Sequence, residues 1–439
     1  MGFRHRRVKG IRPDRRSLDG HRPGRQAARG GQAYHSRMDT RAPHAVPSVP
    51  LAPYSRRSQE IAPFRVMELS ARAAELERAG FDVIHMEVGE PDFTTAAPIV
   101  EAGRAALAAG RTRYTGARGL RELREALSGF YRSRYGLDVS AERILVTPGG
   151  SGALLLASAL LVDPGKHWLM ADPCYPCNRQ FLRVMGGGAK LVPSGPDSAY
   201  QLTPAHVAAH WDADTVGALA ASPANPTGTV LSRDELAALS AAVKARGGRL
   251  VVDEIYHGLT YGMDATSVLE VDPDAFVLNS FSKYFGMTGW RLGWLVAPQD
   301  AVPALERLAQ NLYIAPSTIA QYAALACFEP ATIDILEQRR HAFAERRDWL
   351  LPALRGLGFD IPVQPQGAFY LYADIGRFGE DAQAFCAHFL ETEHVAFTPG
   401  IDFGDFNSRR HVRFAYADSL ERLQEAVRRI ERGLKTLPR

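Results

Sequence analysis

Lys283 stands among small hydroxyls in Asn279-Ser280-Phe281-Ser282-Lys283, with Arg291 following in Gly289-Trp290-Arg291-Leu292-Gly293. An amine that is partly desolvated beside a second cation has a lowered pKa and becomes a nucleophile toward carbonyls. The preceding Ala275-Phe276-Val277-Leu278 is apolar and bounded by Asp272-Pro273-Asp274. That is the pattern of a buried strand delivering Ser280, Ser282 and Lys283 to its end. The chain has six lysines against 46 arginines, so a lysine in this place is less readily surface filler. On this stretch alone an exposed loop lysine remains the other reading.

Two more stretches place polar groups after apolar runs. Asn225-Pro226-Thr227-Gly228 follows a strand pattern ending at Ala221, and Asp253-Glu254-Ile255-Tyr256 follows the pattern at Leu250 to Val252. Singly these are a turn and a helix cap; together with Lys283 they put an amide, a carboxylate and a phenol at the ends of neighbouring strands, where α/β sheets carry chemistry. Thr147-Pro148-Gly149-Gly150-Ser151-Gly152 joins a strand to a helix, and its glycines free backbone N–H groups at a helix start, a phosphate cradle or a merely steric turn. Cys174-Tyr175-Pro176-Cys177 has the setting of a redox pair, after a strand and opening a helix. No second cysteine pair completes a zinc site, no metal site is expected, and incidental thiols are the expectation here.

The elements that must hold these residues read as follows. Alternating strand and helix patterns run from about residue 95 to 325: 143–147 then 151–161, 167–171 then 175–184, 216–221 then 233–246, then 250–253. Such alternation predicts an α/β large domain, a mostly parallel sheet between helices, over 95–325. Residues 56–94 and 326–439 are expected to form a smaller α+β domain. It would hold one helix over about 59–79, a short strand at 83–86, strands near 368–373, 395–398 and 412–416, and a last helix from about Ser419. The turn Glu87-Val88-Gly89-Glu90-Pro91-Asp92-Phe93 brings backbone close to something and is a candidate site wall.

Composition narrows the class. The chain of 439 residues is 46% hydrophobic and 23% charged, ordinary for a globular enzyme. The net charge of +4 conceals an asymmetry, because residues 1–37 hold eleven Arg or Lys against two Asp and leave the remainder at −5. Nucleic-acid binding inferred from the whole-chain charge would rest on that stretch alone. Residues 1–55 read as a disordered basic and Pro-rich N-terminal extension, without the apolar core of a secretory signal. The longest apolar run is too short for a membrane span, and four scattered cysteines suit a reducing cytoplasm.

Taken jointly, these motifs resemble the class I and II aminotransferases of the fold-type I pyridoxal phosphate (PLP) enzymes, from about residue 55 to 435. The resemblance implies Lys283 as the Schiff-base lysine and proton carrier, Asp253 as partner of the pyridine nitrogen, and Tyr256 and Asn225 on the ring oxygen. It implies a phosphate held by Gly150, Ser151, Ser280, Ser282 and Arg291, with Tyr175 stacked on the ring. Tyr114, in Arg113-Tyr114-Thr115-Gly116, resembles the tyrosine that reaches the neighbouring subunit's phosphate, so a homodimer with shared sites is implied. Arg413, in His411-Val412-Arg413-Phe414, reads on pattern alone as a structural ion pair. By resemblance it clamps the substrate α-carboxylate, with Gly89 closing from the other side.

The implied activity is amino-group transfer between an amino acid and a 2-oxo acid. A PLP-dependent lyase, either a carbon–sulfur β-lyase or an aminocyclopropane carboxylate synthase-like enzyme, would use the same residues. A transcription regulator with an aminotransferase-like domain is disfavoured, because the first 55 residues are too poor in apolar residues to pack a DNA-binding module. Prokaryotic aspartate aminotransferases that resemble this chain often carry lysine where Ser151 stands, to meet a distal carboxylate. That leaves Arg118 as the remaining candidate for a dicarboxylic substrate and makes monocarboxylic amino acids the expectation.

Overall fold

The computed structural model describes residues 53–437. The basic stretch 1–37, and the expected extension over 1–55 apart from its last three residues, lie outside the described residues. Among the described residues, eleven strands form two sheets. They are β1 (Ile84–Met86), β2 (Ile144–Thr147), β3 (His167–Asp172), β4 (Gly188–Pro193), β5 (Thr215–Ala221) and β6 (Arg249–Asp253), then β7 (Phe276–Ser280), β8 (Gly293–Val296), β9 (Tyr370–Asp374), β10 (Val395–Pro399) and β11 (His411–Ala415).

The larger sheet has the order β2-β8-β7-β6-β5-β3-β4. It is parallel except for β8, which runs antiparallel to both neighbours. Apart from the edge strand β4 its strands are largely buried on both faces, which is why they read as apolar runs. Successive side chains go to opposite sides: Val251, Leu278 and Leu295 join one core, whereas Val252, Val277 and Val296 join the other. Register then aligns strand ends. Ala221 pairs with Asp253, Asp253 with Leu278, and both Ser280 and Thr147 with Gly293. The residues following Thr147, Ala221, Asp253 and Ser280 therefore emerge along one edge.

The smaller sheet has the order β1-β10-β11-β9. Strand β1, from the N-terminal segment, runs parallel to β10, and β11 lies antiparallel between β10 and β9.

Several elements depart from expectation. The helix expected over 59–79 is two pieces, Arg56–Glu60 and Arg65–Arg78. Pro63 accounts for the break, because it disfavours helical backbone in the residue before it, and Ile61 is already extended. Strands β4 and β8 were not expected. The first is a half-buried edge strand containing Gly188 and Lys190, and the second is four residues beginning at Gly293, too short and too close to the Gly289 turn to show a period. The Glu87–Phe93 turn is pinned by a bidentate pair, Arg346 to Asp92 at 2.7 and 2.8 Å, and the Arg346 guanidinium lies 4.9 Å from the centre of the Phe93 ring.

Candidate active site

One cavity of about 420 Å³ opens where the aligned strand ends meet the smaller sheet and the Glu87–Phe93 turn. Every residue given a cofactor or α-carboxylate role from the sequence except Tyr114 lines it.

At one end lies a set of phosphate-type donors. Gly150 and Ser151 stand in the first turn of the helix Gly149–Leu161, where backbone N–H groups have no partner within the helix. Ser280 and Ser282, both buried, share a 3.0 Å hydroxyl hydrogen bond. Arg291 follows the turn Thr288–Trp290 with φ +54° and donates to the Thr288 carbonyl at 3.1 Å. Gly149 has φ +72°, and a Cβ there would lie 2.8 Å from an Arg291 nitrogen, so the glycine is what admits the guanidinium.

Asp253 and Lys283 occupy the floor. The Asp253 carboxylate accepts the Ile255 N–H at 3.1 Å. Burial raises its pKa to about 7, although that N–H and the Lys283 cation pull it down. Lys283 Nζ donates to the Gly89 carbonyl at 2.6 Å and lies 5.8 Å from the ring centres of Tyr256 and Phe369. Its pKa falls to about 8, chiefly through burial; Glu90 opposes the shift, and Arg413 contributes ahead of Arg291. The cation named from sequence as the cause is thus a lesser one.

Arg413 bridges the two sheets. It sits on β11, is buried, and donates to Asn225 Oδ1 at 2.9 Å, to Thr398 Oγ1 at 3.3 Å and to the Glu87 carbonyl. These partners are neutral, so the guanidinium is not neutralised by a carboxylate and the structural ion pair suggested by its pattern is not formed. Its Nε has no partner among the described residues. Tyr175 opens the helix Pro176–Val184 and meets the Phe64 ring edge-on at 6.3 Å.

The flanking thiols are not poised for redox chemistry. Burial pushes Cys174 up to about 12 and raises Cys177 as well. Arg118 does not reach the cavity. It is held by Glu142 at 2.7 Å and Glu306 at 3.7 Å, so it is not the free cation a distal carboxylate needs. Tyr114 is 80% exposed. Tyr370 lines the cavity and was not expected there, whereas Glu87 lines it as part of the turn read as a site wall, though with no role of its own. Tyr370 lies in a buried aromatic strand that reads as core, and Glu87 lies in a turn valued for its glycine.

The donor set fits the cofactor that the resemblance implies. Backbone N–H groups, two hydroxyls and an arginine gather at one end, with a buried carboxylate and an uncharged-prone amine at the other.

Comparison with known proteins agrees with this geometry. Residues 82–430 match the family model "Aminotransferase class I and II". A valine–pyruvate aminotransferase of Mycobacterium tuberculosis is 39% identical over 372 residues, spanning 84% of this chain and 96% of that protein. An aspartate/prephenate aminotransferase of Thermus thermophilus is 36% identical over 383 residues, spanning 87% and 98%. Among solved structures, an aminotransferase from Mycobacterium tuberculosis superposes with TM-score 0.85 at 38% identity, over 88% of this chain and all of that one. The Thermus thermophilus aspartate aminotransferase with maleate gives 0.83 at 35% identity, over 87% and all of that chain. With the motifs, the two-sheet α/β architecture and the relatives in agreement, this chain belongs to the class I and II aminotransferases and is an aminotransferase.

Proposed function

We propose that the protein moves amino groups between a monocarboxylic amino acid and a 2-oxo acid with pyridoxal phosphate, which membership of the family implies. The observation that carries this reading is the desolvated Lys283 amine, set between the buried Asp253 carboxylate, the phosphate-type donors and the Arg413 guanidinium. When bound, the cofactor supplies an electron sink for the pair left on the substrate α-carbon after its proton departs.

Each residue then has a definite task. Gly150, Ser151, Ser280, Ser282 and Arg291 would hold the phosphate, with Tyr175 against the ring. Asp253 would face the pyridine nitrogen, while Asn225 and Tyr256 would bind the ring oxygen. Lys283 would hold the cofactor through its amine. Its free amine, whose pKa burial lowers to about 8, would take the proton from the substrate α-carbon and carry it to the cofactor's C4′ carbon. Arg413 clamps the α-carboxylate through its planar fork, and the Gly89 backbone closes on the other side.

Substrate class follows from the rest of the wall. Phe64, Val66, Met67, Val88, Leu154 and Phe181 are apolar. Lys283, Arg291 and Arg413, the cations that line the cavity among the described residues, all have tasks, whereas Glu90 would repel a second carboxylate. Apolar monocarboxylic donors therefore suit this site. The exposed Tyr114 supports a two-fold dimer in which it completes the partner's phosphate site.

The test is spectral. Purified protein is loaded with pyridoxal phosphate and given single amino acids, and conversion of the cofactor absorbance to the aminated form is followed beside release of ammonia and pyruvate. Stoichiometric amination by valine or leucine without ammonia supports the reading. Ammonia release without net amination would establish lyase chemistry instead.

A further inference from the structure

Tyr370 lines the cavity and has had no task so far. It begins β9 and pairs with Ala415, while Arg413 pairs with Tyr372. Tyr370 and Arg413 are thus diagonal neighbours on one face of the sheet. The Arg413 guanidinium lies 4.4 Å from the centre of the Tyr370 ring. Beyond the ring, the Tyr370 hydroxyl forms a 2.8 Å hydrogen bond with the Tyr256 hydroxyl, and both side chains are buried. The same oxygen lies against Gly89, where an added Cβ would be 2.4 Å from it. One side chain therefore touches the carboxylate clamp, the ring-oxygen donor and the turn that receives the Lys283 amine.

We propose that Tyr370 is a positioning residue: its hydroxyl donates to Tyr256, which turns the Tyr256 hydrogen toward the cofactor's ring oxygen, while its ring face seats Arg413. The inference rests on the roles proposed above for Tyr256 and Arg413. A phenol has one hydrogen, so whichever hydroxyl donates within the pair leaves the other free to donate outward. The charged groups near the pair are Arg413 on the side of Tyr370 and Lys283 on the side of Tyr256. Burial raises both hydroxyl pKa values, so both phenols keep their hydrogen, and the Arg413 cation over the Tyr370 ring draws electron density from it and makes Tyr370 the better donor within the pair. Hydrogen bonds in such a chain polarise one another, so the bond from Tyr370 strengthens the one Tyr256 makes.

The pH midpoint of the bound cofactor's visible absorbance reads this directly. A hydrogen bond donated to the ring oxygen stabilises its anion and eases loss of the neighbouring proton, so removing the donor moves the midpoint up. Tyr256→Phe is expected to give the full upward shift. Tyr370→Phe is expected to shift it the same way by about 0.2 to 0.5 pH unit, and the double variant to match Tyr256→Phe alone. Because Phe keeps a ring under Arg413, KM for the amino acid should hold in Tyr370→Phe and rise about threefold or more in Tyr370→Leu.

A shift with Tyr256→Phe but none with Tyr370→Phe, or a double variant that sums both, overturns the proposal and leaves the function reading intact. No shift with Tyr256→Phe removes the role assigned to Tyr256 itself, and this inference with it. Gly89→Ala gives a second measurement that does not depend on the cofactor. Its Cβ would meet the Tyr370 oxygen at 2.4 Å but the ring carbon bearing it only at 3.4 Å. Gly89→Ala should therefore lower the melting temperature in the Tyr370 background and do so markedly less with Tyr370→Phe. Equal losses in both backgrounds would show that the hydroxyl is not fixed where the proposal needs it.

Discussion

Lys283 should destabilise the protein it serves. In the cofactor-free chain, burial holds its pKa near 8 against an ordinary 10.5. The depressed value means the folded state binds fewer protons than the unfolded one between about pH 8 and 10.5. The cost of carrying the charge is therefore complete below pH 8 and disappears as pH rises past 10.5. At 1.36 kcal/mol per pH unit the ceiling is about 3 kcal/mol, which partial exposure of the side chain reduces to about 2. Lys283→Met keeps the length and removes the charge. It also loses the hydrogen bond to the Gly89 carbonyl, worth about 1 kcal/mol net. The cofactor-free Lys283→Met protein should thus be more stable than wild type by about 1 to 2 kcal/mol at pH 7, and no more stable at pH 10.5. Urea titrations followed by tryptophan fluorescence at the two pH values measure this. With pyridoxal phosphate present the order should reverse, because the ligand stabilises most the chain whose lysine adds a covalent hold to the contacts both chains make. A Lys283→Met protein that is weaker than wild type at pH 7, or whose advantage does not change with pH, refutes the argument that this amine is held in a desolvated place.

Arg413→Ala should lower kcat/KM for every α-amino acid by a similar factor, about 30-fold or more, since breaking a buried carboxylate pair costs roughly 2 to 5 kcal/mol; an amine without a carboxylate should be spared, and a loss confined to dicarboxylic donors would move Arg413 to side-chain reading. Arg118→Ala should leave the ranking of amino donors unchanged and cost no more than about 1 kcal/mol of stability, because the arginine is engaged with Glu142 and Glu306 at a partly exposed place. A selective loss of aspartate activity in that variant would restore Arg118 as a substrate ligand. Co-expressed Tyr114→Ala and Lys283→Ala chains with different tags should give a mixed dimer with one intact site. A doubly tagged dimer no more active than the Tyr114→Ala homodimer would end the shared-site reading.

The residues to which chemistry is assigned in the proposed function were legible in the chain because of where they fall. Asp253, Ser280 and Lys283 end or follow apolar runs buried on both faces, and such runs announce parallel strands whose ends converge. The glycines of 149–152 announced a helix start in the same way, since a free backbone there has few other uses. Some short or interrupted elements were not legible, although the three-residue β1 was. Pro63 split a helix that apolar spacing had joined, and β8 is too brief to show a period.

Side-chain partnerships lay deeper still, because they depend on which distant segments meet. Arg118 looks free between Gly116 and Gly119 until Glu142 and Glu306 are brought to it. Arg413 looks like half of an ion pair until its neighbours prove to be carbonyl and hydroxyl oxygens and an amide. Tyr370, in an aromatic run that reads as packing, acquires a hydroxyl partner and a cation only when β9 is laid beside β11 and Tyr256 is set against it. Period and turn chemistry act over a few residues and are written along the chain, whereas desolvation and hydrogen-bond pairing act across space and arise only when the two sheets close on one cavity.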